Sequence, residues 1–89
     1  MIKPTIHMNG TGFKTLMEQY EGAYRALSDA LEKLYECAPN GRDYYPQGNE
    51  AIRTAKKEHG ARVSSLIHAR DEIAQLIEYI DEYDPSQKN

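Results

Sequence analysis

A chain of 89 residues has room for one domain, and folding it alone buries only about 60–65% of its unfolded surface, so a lone copy is marginal. With 14 acidic and 11 basic residues the net charge is −3, which disfavours a general nucleic-acid binder. Cys37 is the single cysteine, so no internal disulfide can form, and the pattern fits a reducing compartment; near a helix end it reads as a small apolar residue.

No apolar stretch approaches the roughly 20 residues that cross a bilayer, and the start Met1-Ile2-Lys3-Pro4-Thr5 lacks the apolar run of a signal peptide. The expected location is the cytoplasm. Seven tyrosines stand against one phenylalanine and no tryptophan. A tyrosine has an apolar ring and a polar tip, which suits half-wet interfaces better than dry cores.

Residues 1–10 contain Pro4, Asn9 and Gly10, with apolar residues at 2, 6 and 8, and read as an extended arm or short edge strand. Thr11 is the expected N-cap of a first helix over 11–38. Phe13, Met17, Tyr20, Tyr24, Leu27, Leu31, Leu34 and Ala38 recur at alternating spacings of four and three, the seam pattern of packed helices. Leu16, Ala23, Ala26 and Ala30 widen the seam into a face. Gly22 lies inside this helix, either for close backbone approach or as a tolerated weakness.

Pro39 cannot continue the helix, and Asn40-Gly41 is a turn pair opening a connector over 39–48. Asn49 is the expected N-cap of a second helix over 49–83. Its seam is Ile52, Ala55, His59, Arg62, Leu66, Ala69, Ile73, Leu76, Ile80 and Tyr83, widened by Val63, Ile67, Ala74 and Ile77. Gly60 interrupts it, Pro85 follows its end, and residues 84–89 form a tail whose last four, Ser86 to Asn89, read as frayed.

The expected fold is all-α: an antiparallel two-helix hairpin with an extended N-terminal arm. A short connector sets opposed residue numbers to a sum of about 86. That register pairs Leu31 with Ala55, Leu27 with His59 and Tyr24 with Arg62, and lets Ile6 cover Ile80. Two helices leave much of both apolar faces bare, so the hairpin is expected to self-associate into a helical-bundle oligomer, most simply a four-helix dimer.

Two places could carry function. Tyr24, His59 and Arg62 fall in adjacent central layers, with Glu21, Arg25 and Glu58 nearby. They read either as a polar layer that fixes register or as a pocket for an anionic ligand. The connector residues Arg42, Asp43, Tyr44, Tyr45 and Gln47, followed by Arg53, Lys56 and Lys57, read either as a capping turn or as a recognition loop. His7, His59, His68 and Cys37 are too scattered for a metal motif, and no phosphate loop or nucleophile–base pair occurs. No enzymatic activity, metal or cofactor is expected.

The run Ala38-Pro39-Asn40-Gly41-Arg42-Asp43-Tyr44-Tyr45-Pro46-Gln47-Gly48, with Thr5-Ile6-His7-Met8-Asn9-Gly10-Thr11, Glu18-Gln19-Tyr20 and His59-Gly60-Ala61-Arg62, resembles small proteins encoded by bacteriophages and prophages of proteobacteria. No activity is assigned to that group, so the resemblance carries no catalytic residue. It implies a phage accessory protein acting by binding in the host cytoplasm, including counter-defence by sequestering a host protein or an anionic nucleotide signal. The alternatives are a structural or assembly oligomer with no ligand and a DNA-binding regulator.

Overall fold

The computed structural model describes residues 1–85, so the tail Ser86 to Asn89 lies outside the described residues. The chain is all-helical, with no strand among the described residues. Helix α1 spans Phe13–Glu36, α2 is a single turn over Gly41–Tyr44 that runs into a 3-10 turn over Tyr45–Gln47, and α3 spans Asn49–Asp81. The two long helices pack against each other.

Both long helices consist mainly of residues with good helix propensity, and α1 has a single β-branched residue, Thr15. Their surfaces carry pairs one turn apart: Glu21 with Arg25 at 3.9 Å, Lys33 with Glu36 at 3.6 Å, Glu50 with Arg53 at 2.9 Å and His68 with Glu72 at 3.2 Å. All are largely exposed, so each contributes a few tenths of a kcal/mol.

The helix ends differ from those the sequence suggests. Gly12, in an extended conformation, is the N-cap of α1 in place of Thr11, and its carbonyl accepts from the Leu16 amide at 3.0 Å. The helix stops at Glu36, two residues short of Ala38, because the ring of Pro39 pushes its predecessor out of the helical region. The Cys37 and Ala38 amides instead close tighter bonds to Leu34 and Tyr35. Gly48 precedes α3, so Asn49 is its first residue and not its cap. The last residue of α3 is Asp81, and Glu82, Tyr83 and Asp84 continue as turns. The arm is extended but pairs with no strand; its one turn is closed by the Gly10 amide donating to the His7 carbonyl.

The core is sparse. Leu31, Ala55 and His59 are buried, as are Leu76 and Ile80, the last completely. Between these groups the seam residues Tyr20, Leu27, Leu66 and Ile73 are only half-buried, and Tyr24 and Arg62 are exposed. Ala23, Ala26 and Ala30 face solvent. A Cβ on Gly22 or Gly60 would meet nothing within 4 Å, so Gly22 provides no close approach between helices within this chain.

The molecule is long. Its Cα radius of gyration is 19.2 Å, against about 12 Å for a compact domain of this length. At the end away from the connector, Pro4 and Ile6 are half-buried and the Lys3 ammonium sits over the Tyr79 ring, so the arm lies along the last turns of α3.

Candidate functional site

The connector is ordered by its own side chains. Asn40 caps α2: its Oδ1 accepts from the Asp43 amide at 3.3 Å, while its Nδ2 donates to Asp43 Oδ2 at 3.1 Å. This reciprocal pair is the Asn/Asp counterpart of a capping box, and the Asp43 amide is shared between the Asn40 side chain and the Asn40 carbonyl, the latter at 3.2 Å. Pro46 enters the 3-10 turn at a position that needs no amide donor. Gly48, with φ of +97°, then turns the chain into α3 in a conformation that strains residues with a Cβ.

This local order divides the recognition residues expected from sequence. Asp43 is engaged by Asn40 and Tyr44 is half-buried. Arg53 is held by Glu50 at 2.9 Å. Arg42, Tyr45 and Gln47 remain outward-facing, with Tyr45 76% exposed. Arg42 makes no ion pair among the described residues. The connector therefore presents a cation, a phenol ring and an amide at one end of the molecule, a combination suited to protein contacts.

The expected central layer is not assembled from the three residues named for it. His59 is buried, with its Nε2 lacking a hydrogen-bond partner. Arg62 is exposed. Tyr24, 37% exposed, carries a different cation over its ring: the Arg70 guanidinium, 5.9 Å from the centroid. Arg62 and Arg70 are eight positions apart, about 12 Å along a helix. Helical side chains lean toward their N-terminus, so long residues on facing helices need not meet their numerical opposites. Arg70 is half-buried, and its Nε has no partner.

Sequence reasoning missed Arg70, though the spacing contains it. Val63, Ile67, Arg70, Ala74 and Ile77 recur at alternating spacings of four and three, which makes a second stripe beside the α3 seam. Every member of that stripe is half-buried. Two buried nitrogens without partners, on His59 and Arg70, thus lie on α3 near apolar surface that the rest of the chain only half covers.

A third feature lies at the far end of α3. Lys3, Gln75, Glu78, Tyr79 and Glu82 line an open cavity of about 200 Å³. The Tyr79 and Tyr83 rings meet edge to face with centroids 5.3 Å apart, and their hydroxyls share a hydrogen bond at 3.0 Å. That hydrogen bond, with the nearby charge on Tyr79 and Glu82 and partial burial, holds the Tyr83 hydroxyl above the ordinary tyrosine pKa. No group of three or more potential metal ligands occurs among the described residues, and no helix there is long and apolar enough to cross a membrane. Cys37 is free and exposed, its thiol donating to the Lys33 carbonyl at 3.5 Å.

No family model, curated protein or solved structure matches this chain.

Proposed function

We propose that this chain is a non-enzymatic binding protein whose working form is a self-associated helical bundle. Each copy contributes an antiparallel hairpin of α1 and α3, and the connector at its end makes the external contact. The observation that carries the reading is uncovered surface. The accessible area is 6857 Å², whereas a folded monomer of this mass exposes about 5300 Å². Two copies covering that surplus would bury roughly 3000 Å² in total, the range of obligate homodimers. The half-buried stripe Val63, Ile67, Arg70, Ala74 and Ile77 is the surface a second copy would cover.

The external contact falls to Arg42, Tyr45 and Gln47, which the folded connector leaves free while Asp43 and Tyr44 hold its shape. In the phage context that the connector resembles, the target is a host protein or an anionic nucleotide signal, and the role is counter-defence. Between these the exposed ring and guanidinium favour a protein, because the cavity at the other end is lined by two carboxylates and repels an anion. A purely structural oligomer is the second reading, supported by the same bare stripe. A DNA-binding regulator is disfavoured by the net charge of −3.

Light scattering over a concentration series tests the assembly, and a strict monomer at tens of micromolar refutes it. Capture from host lysate with the native protein and with Arg42→Ala/Tyr45→Ala, beside a thermal-shift screen of cyclic nucleotides, tests the contact. Loss of one specific captured protein in the variant supports the protein target. A nucleotide-dependent rise in melting temperature points to the signal, and neither result leaves the structural oligomer.

A further inference from the structure

Helix α3 is polarised along its length. Residues 49–62 carry four basic side chains against two acidic ones, while residues 63–81 carry one basic against four acidic. The half-buried stripe from Val63 to Ile77 runs between the two zones. The same helical spacing extends it to Lys56 in one direction and to Asp81 in the other. Both of these end residues are exposed, and neither makes an ion pair among the described residues. One face of α3 therefore reads cation, apolar stripe, anion.

Such a face complements itself only when reversed. Laid antiparallel on a second α3, Lys56 meets the partner's Asp81, Val63 meets the partner's Ala74 and Ile67 meets the partner's Arg70. The same pairs recur in reverse order across the two-fold axis, as an isologous interface requires. A large side chain faces a small one, and Arg70 faces an isoleucine, its own guanidinium drawn onto Tyr24 of its own copy. Laid parallel and in register, lysine meets lysine, aspartate meets aspartate and arginine meets arginine, and like charges repel. The helix dipoles add to the preference, since they attract when antiparallel and repel when parallel.

We propose that a second copy of this chain docks antiparallel on this face of α3, with Lys56 of each copy against the partner's Asp81; this rests on the self-association proposed above and gives it a direction. The surplus surface, roughly 3000 Å² over both copies, is what an obligate homodimer needs. Charge complementarity decides which way round the copies lie. The two connectors then stand at opposite poles of the dimer, each presenting its Arg42, Tyr45 and Gln47 away from the other. A dimer so built joins two partner molecules and cannot grip one molecule with both ends.

Cys37, exposed and the single cysteine, stands at the connector end and takes a nitroxide label without any substitution. Double electron–electron resonance on the full chain labelled there reads the direction. The antiparallel dimer should give one distance of about 60 Å, since each label lies roughly 20 helical residues from the dimer centre. A parallel dimer would bring the labels within about 30 Å, three interaxial spacings at most. Light scattering on the same sample separates the two ways of failing. A strict monomer refutes self-association itself, whereas a dimer with the short distance refutes only the antiparallel docking.

A charge swap reads the face. Lys56→Glu and Asp81→Lys should each weaken dimerisation about five- to thirty-fold, because two exposed pairs are lost and two like-charge contacts are made. The double variant Lys56→Glu/Asp81→Lys reverses both charges and should return to within about two-fold of the native affinity. Both positions are exposed, so each variant should keep the helical circular dichroism of the native chain. A long label distance in a dimer that the double variant fails to restore would place the contact on another face and overturn the assignment.

Discussion

The Arg70 guanidinium of α3 lies over the Tyr24 ring of α1, 5.9 Å from its centroid, while the Nε of the same arginine has no hydrogen-bond partner. The two facts pull in opposite directions. A partly exposed cation–π contact stabilises by roughly 0.5–1 kcal/mol. A buried donor without an acceptor costs roughly 1–3 kcal/mol. Arg70→Met keeps the unbranched apolar stem and removes the donor together with the guanidinium, so the expected change under dilute, dissociating conditions is a gain of about 1 kcal/mol in urea unfolding. A clear loss there would show that the arginine is satisfied.

Ile80 is fully buried at the end of a thin core. Ile80→Ala should cost about 2–5 kcal/mol through lost transfer energy and the cavity left behind. In a chain with so few buried side chains that is enough to unfold it, and far-UV circular dichroism at 25 °C reads the outcome directly. The exposed Ala26→Ser should change stability by less than about 0.5 kcal/mol.

Asn40→Ala removes both halves of the pair with Asp43. The expected cost is about 1 kcal/mol, typical of a lost cap. Amide exchange should quicken over Gly41–Tyr44 while the middle of α1 stays protected. Uniform acceleration along the whole chain would mean that the connector is not a separate local unit.

Gly60 sits inside α3 with open space where a Cβ would stand. Gly60→Ala should therefore raise stability by about 0.5–1 kcal/mol, from helix propensity and a less flexible unfolded chain. A fall in melting temperature would reveal a close neighbour at that point in the assembled protein.

The hydrogen bond that the Tyr83 hydroxyl donates to Tyr79, aided by nearby negative charge, raises the Tyr83 pKa above its ordinary value. The folded state then holds the proton more firmly than the unfolded one. Its contribution is fully present below the unfolded tyrosine value and is lost as pH rises through the folded one. Ultraviolet titration of the phenolate should show one late-ionising tyrosine, and Tyr79→Phe should return it toward the others.

The long helices were legible in the sequence because their apolar residues repeat with the period of packed helices: Leu31, Ala55, Leu76 and Ile80, all expected on the seams, form the buried core. The ends were less legible. Thr11 and Asn49 are good caps by residue type, but Gly12 and Gly48 occupy those positions, since the backbone path of the arm and connector decides where a helix begins. The helical turn at 41–44 was hidden by Asn40-Gly41, a pair that reads as a reversal until Asp43 is seen answering Asn40. The cation on Tyr24 was assigned by numerical opposition, which ignores the lean of long side chains. The cluster at Lys3 and Tyr79 could not be read at all, because no periodicity says where an extended arm will lie.

Among the described residues Gly48 alone has a positive φ. Helix α3 begins at the next residue and runs for 33 residues, about 50 Å of stiff rod. Mechanically, Gly48 is the pivot of a lever: a change of 10° at that joint would swing the far end by about 9 Å, several times the tolerance of a packed contact. A residue with a Cβ at position 48 favours an extended path there, and an extended path carries α3 away from its own α1. The two helices of one copy would then be free to pair with those of another, so a substitution beside the connector would be felt as an exchange of partners at Ile80.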